Sequence, residues 1–453
     1  MIDSHAHITA PRFDDDRNDV LDRAEEAGIE LVVCPGTTLD DSRAALDLAH
    51  RHRLVLAAVG MDRDAAADVD GGAIDRLREL ADDDRCVAIG EIGLDYHYDS
   101  QPRDVQRAAF EAQLELAREL DLPAIVHCRD AFDDCLPMLE TAGVRGVLHC
   151  FSGDADTALR CCDLGLMISF AGQVTYKRSD DLREAARAVP SQHLMVETDS
   201  PYLAPQAVRG KRNEPAFVMH TARFLADLLG LTLDDVDRIT STNARLLFGL
   251  GADRERTIAY PIRDSLYVNL TNRCTNRCVF CPRSAAPRVK GHWLGMEREQ
   301  EPTAEEVIAA IGDPADYDEI VFCGFGEPTL RLDVLLDVAR WVKQRGGRTR
   351  LNTNGQGDLV AGEPIAPKLS GLIDSVSVSV NTADPDQYAA LSRSDYGGRA
   401  YDAVLEFVRT AKQHVPHVAI TALDYPGVDV EAVGRLAERL GVEFRSRAYK
   451  HLG

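Results

Sequence analysis

Three cysteines in one short loop constrain this chain more than any other feature. Cys274, Cys278 and Cys281 are spaced C-x3-C-x2-C, directly after the apolar run 266–270. Three is an odd set. A closed zinc site takes four ligands, and a four-iron cluster takes one ligand per iron. Three thiolates bind such a cluster but leave one iron open, where a small molecule can chelate. A zinc loop or a buried structural set are the plainer readings of the same residues. The cluster reading rests on the strand that delivers the loop and on signals downstream of it.

The residues that follow carry those signals. Strands are expected at 266–270, 319–323, 348–352, 374–380, 417–422 and 442–445, with helices at 304–311, 333–345, 400–414 and 430–440 between them. Six such repeats fit an open, partial β/α barrel. Gly324-Phe325-Gly326-Glu327-Pro328 follows the second strand and Asn352-Thr353-Asn354-Gly355 the third, while Ser377, Ser379 and Asn381 lie on or just after the fourth. Together with the cysteines and with Phe280 just before the last of them, these segments resemble the radical S-adenosylmethionine (SAM) superfamily. The resemblance implies a partial (β/α)6 barrel and a 4Fe-4S cluster on Cys274, Cys278 and Cys281. It also implies SAM bound by Phe280, Gly324, Gly326, Glu327 and Asn381, and an electron donor for the cluster. Glycine lets backbone approach a ligand, and Gly326 with Glu327 would receive the SAM amino group. The stretch from Leu266 to Cys274 resembles, more narrowly, the radical SAM proteins that accompany TatD-type nucleases, and it brings no substrate with it. Cys323 is expected to be a strand-core thiol.

The chain before residue 260 reads as a different machine. Strands are expected at 1–5, 30–34, 55–59, 86–91, 123–127, 146–149, 166–170 and 194–197, with helices such as 15–27, 42–50, 105–120 and 132–141 between them. Eight strands alternating with helices suggest a (β/α)8 barrel, whose strand ends meet at one rim. His5 and His7 end the first strand, Glu91 the fourth, His127 the fifth and His149 the sixth, and Asp199 follows the eighth. One histidine at a strand end is more often structural than a ligand, whereas this set is hard to reach by chance. On a strand, alternate residues face the same way, so both histidines of His5-Ala6-His7 can reach one metal.

The segments Ser4-His5-Ala6-His7, Gly90-Glu91-Ile92-Gly93-Leu94-Asp95-Tyr96, His127-Cys128-Arg129-Asp130, His149-Cys150-Phe151-Ser152-Gly153 and Glu197-Thr198-Asp199-Ser200-Pro201-Tyr202 together resemble the TatD family of metal-dependent hydrolases. That resemblance implies two divalent ions, zinc, manganese or magnesium. His5, His7 and Asp199 would hold one, His127 and His149 the other, with Glu91 bridging. Asp199, Glu91 and Arg129 are the catalytic candidates. Asp199 would accept the water's proton, and Arg129 would pair phosphate oxygens through its guanidinium. Arg209, Lys211 and Arg212 form a local basic loop that is read either as a nucleic-acid contact or as a solvated turn. Tyr96 and Tyr202 are candidates to stack on a base. The remaining cysteines of this half, Cys150 among them, are expected to be small buried hydrophobes.

The expected organisation is therefore a hydrolase domain at 1–253, a short polar linker at 254–264 and a radical SAM domain at 265–453. Bulk properties exclude little. The 453 residues exceed one ordinary core. Charge is 51 basic against 74 acidic residues, or −23, so any nucleic-acid contact must be local and basic. No apolar run approaches a membrane span, and the N-terminus lacks a basic-then-apolar leader pattern. Eleven cysteines without such a leader point to a reducing cytoplasm. The reading is a bifunctional enzyme acting on nucleic acid or nucleotides. An ester or amide hydrolase, for instance an aminoacyl-tRNA deacylase, with the radical half acting on an unrelated metabolite is the alternative. A sensor or scaffold role for one half is a third.

Overall fold

A computed structural model describes residues 1–251, 256–281, 283 and 287–449. The chain divides into two compact units, Met1–Asp253 and Arg254–Gly453.

The first unit is an eight-stranded parallel barrel. Its strands are β1 (Ile2–Asp3), β2 (Leu31–Pro35), β3 (Val55–Val59), β4 (Cys86–Asp95), β5 (Ala124–Arg129), β6 (Gly146–Leu148), β7 (Met167–Phe170) and β8 (Leu194–Val196), paired in sequence order. Closure runs past the ends of β1 and β8. The Ser4 amide donates to Val196 O (3.3 Å), Asp199 to His5 O (2.9 Å) and His7 to Ser200 O (2.8 Å). The two ends that carry His5, His7 and Asp199 are thereby joined to each other.

Alternation divides each strand between two cores. Val32 and Cys34 of β2, and Val55, Ala57 and Val59 of β3, pack toward the surrounding helices. Val33, Leu56 and Ala58 point the other way, joining Ile2, Val87, Ile125, Val147 and Met195. Helix Leu233–Leu247 contributes Ala244 and Leu247 to that inner cluster. Several helices begin where the sequence provides caps. Thr38 accepts from the Asp41 amide at the start of Leu39–Arg51, and Asp154 does the same for Thr157 at Ala155–Asp163.

The second unit contains one seven-stranded sheet in the order β17-β16-β15-β14-β13-β10-β9. These are β9 (Ala259–Ile262), β10 (Ser265–Val268), β13 (Glu319–Phe322), β14 (Thr349–Thr353), β15 (Ser375–Ser379), β16 (His417–Asp424) and β17 (Glu443–Ala448); a small hairpin of β11 (Arg288–Val289) and β12 (His292–Trp293) lies between β10 and β13 in sequence. Six strands, β10 and β13 to β17, run parallel and form the partial barrel. The seventh, β9, is antiparallel to β10 and corrects the expected linker. Residues 254 and 255 of that linker lie outside the described residues, but Ala259–Ile262 is sheet. Pro261 is tolerated because β9 is an edge strand.

Among the described residues no single helix is long and apolar enough to cross a membrane. One bent pair, Pro215–Leu229 with Leu233–Leu247 at 111°, passes on length and composition together; both helices pack buried side chains onto the barrel.

Candidate functional site

The barrel's polar residues converge on one point. Glu91 sits in the middle of β4, 2% exposed, and each of its two oxygens serves a different pair of histidines. Oε2 lies 3.3 Å from His5 Nε2 and 3.3 Å from His7 Nε2. Oε1 lies 3.4 Å from both His127 Nδ1 and His149 Nε2. Asp199 Oδ1 approaches His7 Nε2 at 3.4 Å and His5 Nε2 at 3.8 Å. Two compact ligand groups result, His5–His7–Asp199 and Glu91–His127–His149.

The donor chemistry fits metal ions. His5 and His7 face each other nitrogen to nitrogen at 3.2 Å, as do His127 and His149 at 3.3 Å. Lone pairs of neutral imidazoles and carboxylates repel at such distances. A cation between them satisfies all of them at once. Without one, protons take that role. Burial disfavours charge on His149, yet Glu91 and Glu197 hold its pKa up at about 10. Burial likewise opposes charge on Glu91, but His149 and the surrounding imidazoles keep it well below the usual carboxylate range.

Sequence reasoning missed the groups that aim the ligands. Asp95, four residues after Glu91 on β4 and on its face, holds His127 Nε2 at 3.1 Å. Glu197, fully buried, places Oε1 3.4 Å from His149 Nδ1 and accepts the Cys150 amide at 2.5 Å. Both stand inside quoted segments, but only geometry tells which imidazole nitrogen each one serves. Arg63, after β3, had no motif to mark it. It donates to Glu91 Oε1 at 3.0 Å.

The site opens into a cavity of about 580 Å³ lined by Arg63, Tyr98, Arg129, Gln173 and Tyr202 besides the ligands. Arg129 reaches it, with its guanidinium over the Tyr98 ring at 4.9 Å. Cys150 corrects the expectation of a buried hydrophobe. It has φ 46°, lines the cavity and takes a Gln173 Nε2 hydrogen bond on Sγ at 3.0 Å. Tyr96 is not free to stack on a ligand, because its hydroxyl donates to Asp134 at 2.6 Å and Arg103 covers its ring at 4.2 Å. In the basic loop, Arg212 is tied to Asp16 at 2.6 and 2.8 Å, which favours the structural reading for that residue.

The second unit has a cavity of about 420 Å³ at the strand ends, lined by all three cysteines, Phe280, Gly324, Gly326, Glu327 and Asn381. Among the described residues the three thiols do not form a compact single-ion ligand group like those of the barrel. They are held instead as a loop. Arg273 pairs with Glu301 at 2.7 and 2.9 Å, and Arg277 N and Val279 N donate to Ser392 O and Leu391 O. The glycines form a cradle that a side chain would fill. A Cβ on Gly326 would meet Thr271 O at 2.1 Å, and one on Gly324 would meet Asn269 Oδ1 at 2.1 Å. Asn381 has φ 64° and is nearly buried. Phe280 packs against Tyr425 with ring centroids 5.5 Å apart.

Two details depart from expectation. The Glu327 carboxylate already takes four donors. Oε1 accepts from Thr329 N (3.1 Å), Thr329 Oγ1 (2.7 Å) and Thr353 Oγ1 (2.8 Å), and Oε2 from Asn354 N (2.7 Å). Cys323 is not a strand-core thiol. The strand stops at Phe322, and Cys323 lines the cavity.

An eight-stranded β/α barrel carrying a His-x-His pair, a shared buried carboxylate, two further histidines and an aspartate at one rim defines a metal-dependent hydrolase. A family model described as TatD related DNase matches residues 2–249, and the chain belongs to that family. Residues 268–440 match the radical SAM superfamily, so the chain is a fusion of the two. An uncharacterized metal-dependent hydrolase, YabD of Bacillus subtilis (strain 168), is 37% identical over 251 residues, covering 55% of this chain and 98% of the relative. A protein of Pantoea ananatis (strain LMG 20103) named 3'-5' ssDNA/RNA exonuclease TatD is 35% identical over 259 residues, covering 55% of this chain and 100% of its own. The crystal structure of YJJV, a TatD homolog from Escherichia coli K12, superposes with a TM-score of 0.53 at 28% identity, covering 55% of this chain and 98% of that one.

Proposed function

We propose that the first unit hydrolyses phosphodiester bonds of nucleic acid, as a TatD-type deoxyribonuclease, and that the second cleaves SAM reductively to begin a radical reaction on a separate substrate. The observation that carries the first part is the division of Glu91 between two histidine pairs, which suits two ions sharing one carboxylate. His5, His7 and Asp199 would hold one ion, and His127 and His149 the other. Bound there, two divalent ions make water acidic enough to attack at neutral pH and offset the charge that builds on phosphate oxygens. Imidazole and carboxylate donors suit zinc or manganese better than magnesium.

The chain's own residues do the rest. Asp199, which lines the cavity, takes the proton of the attacking water on its carboxylate. Arg129 pairs the phosphate oxygens. Arg63 helps orient Glu91 through its 3.0 Å contact to Oε1. The nuclease name of the Pantoea relative supports phosphodiester over ester or amide bonds.

In the second unit Cys274, Cys278 and Cys281 would hold a 4Fe-4S cluster, which supplies the electron that splits the SAM sulfonium. Gly324 and Gly326 let backbone approach the methionine end, and Phe280 and Asn381 bound the rest of the cavity. Glu327 acts chiefly by fixing Thr329, Thr353 and Asn354 through its four hydrogen bonds. An external low-potential donor reduces the cluster. All eleven cysteines are free, in keeping with a reducing cytoplasm.

The test compares labelled DNA and RNA oligonucleotides with aminoacyl esters in zinc or manganese, and measures 5′-deoxyadenosine made anaerobically from SAM. Oligonucleotide cleavage lost in Glu91→Gln is the expected result. Ester cleavage without any oligonucleotide cleavage would move the first unit to the ester and amide hydrolases, and no 5′-deoxyadenosine under reductant would sink the second part.

A further inference from the structure

The cavity of the second unit reaches both edges of the open sheet, since Tyr260 of β9 and Arg447 of β17 both line it. The side chains read as SAM contacts leave Arg447 without a role. Alternation puts Arg445 and Arg447 on one face of β17, opposite Phe444, which packs against the helix-side core. Arg350 of β14 likewise faces away from its core neighbour Leu351. The inner face of the open barrel therefore carries three arginines.

Two of them are matched by acids. Arg350 pairs with Glu319 at 2.9 Å, and Arg445 with Glu443 at 2.9 Å. Arg447 is different. It reaches across two strands and donates to Thr421 Oγ1 at 3.2 Å and Ser379 Oγ at 3.3 Å. Among the described residues no carboxylate lies within ion-pair distance of it. Glu327 is the one carboxylate among the described residues that line the cavity, and four protein donors already saturate it. The other guanidinium there, Arg283, is bonded to Asn272 O at 3.0 Å and Asn276 O at 3.4 Å, within the cysteine loop.

The partners of Arg447 add to its pull on an anion. A hydroxyl that accepts a hydrogen bond still has its own proton to give. Among the described residues neither Ser379 nor Thr421 gives that proton to a protein acceptor. One guanidinium and two hydroxyls thus gather donors at one place with no acceptor opposite them. Asn352 is an independent sign of a ligand. It lines the same cavity, and its Oδ1 is buried without a donor among the described residues.

We propose that the substrate of the radical half carries a carboxylate or phosphate group, and that Arg447 pairs with it. The proposal rests on the radical SAM reading of this unit and adds the chemistry of what it acts on. A guanidinium holds either group through a fork of two parallel hydrogen bonds. SAM brings a carboxylate of its own, so the substrate anion is tested with SAM already in place.

Calorimetric titration of the anaerobically reconstituted, SAM-loaded full chain with succinate and with inorganic phosphate tests this. At least one of the two is expected to bind wild type, and to bind Arg447→Met weaker by about tenfold or more, the loss of one charge-assisted contact. The tighter of the two anions tells carboxylate from phosphate. Arg447→Lys should recover part of the affinity, because it keeps the charge but not the fork. Phosphate held by the first unit is common to all three proteins and cancels in the comparison. SAM is titrated in parallel. Wild type that binds no SAM refutes the radical SAM reading. Wild type that binds SAM, with succinate and phosphate affinities unchanged in Arg447→Met, overturns the anion proposal alone. So does an Arg447→Met protein that loses about tenfold in SAM affinity, because the arginine then serves the carboxylate of SAM.

Discussion

Replacing Gly326 by alanine tests whether the cradle of the second unit is as rigid as its contacts imply. The added Cβ would sit 2.1 Å from Thr271 O and 2.6 Å from Arg273 O, both backbone atoms of the loop that leads into Cys274. Relief requires the first contact to open from 2.1 to at least 3.0 Å. The loop resists that movement. Arg273 is clamped to Glu301, Glu301 also holds Arg331 at 3.1 Å, and the Glu327 amide donates to Arg273 O at 2.8 Å. Overpacking against fixed backbone costs about 1–3 kcal/mol. In a domain of this size that lowers Tm by about 2–12 °C. Whatever movement does occur displaces Cys274, so iron retained after anaerobic reconstitution should fall below four per chain and 5′-deoxyadenosine formation should be lost. Hydrolysis by the first unit in the same samples reports that the chain has folded. Gly324→Ala is the internal comparison. Its Cβ meets a side chain, Asn269 Oδ1, rather than backbone; Asn269 is buried and its Nδ2 donates to Leu294 O at 3.0 Å, so turning aside costs that one hydrogen bond and the loss should be smaller. A Gly326→Ala protein with wild-type Tm and a full cluster would refute the argument.

Asp95→Asn removes the charge that orients His127 and should weaken metal binding by about 10–100-fold, read by metal titration of the apoprotein; unchanged affinity would mean Asp95 is only a strand residue. Dialysis against a chelator should abolish hydrolysis and lower the first unit's Tm, with both restored by zinc or manganese. Asp374 is held below its ordinary 3.8, against partial burial, by Lys343 at 2.8 Å and by Thr349. A carboxyl with a depressed folded pKa stabilises the fold above its unfolded value, and that stability disappears as pH falls through the folded one. Asp374→Asn should therefore destabilise the second unit at pH 7 and remove part of its loss of stability below about pH 4; parallel curves for the two proteins would contradict this.

The convergence of the barrel's histidines and carboxylates was legible because their residue types are improbable together and because strand ends of a barrel meet. Its supporting groups were not. Asp95 and Glu197 act through single imidazole nitrogens, and Arg63 reaches Glu91 from the next strand over, relations that no spacing encodes. Tyr96 and Tyr98 are both tyrosines after β4. Only packing separates the one bonded to Asp134 from the one left in solvent. In the second unit the parallel strands announced themselves as apolar runs. Strand β9 did not, because an edge strand with Pro261 reads as a connection. Cys323 was misjudged by a single position. The run 319–323 looked uniform, yet the strand ends one residue earlier, where the barrel opens.

The anchoring of the cysteine loop has a consequence for how the protein is made. The segment that receives Arg277 N, Val279 N and the Arg277 side chain comes from residues 391–395, and Arg277 and Asp395 are 118 positions apart. During synthesis the three thiols leave the ribosome well before the residues that shape their loop exist. In that interval they are ordinary cysteines, open to oxidants and to any thiophilic ion present. A cluster on these thiols would therefore be inserted after the chain has passed Asp395. Delivery of iron and sulfide to the growing chain would meet thiols that have no cradle.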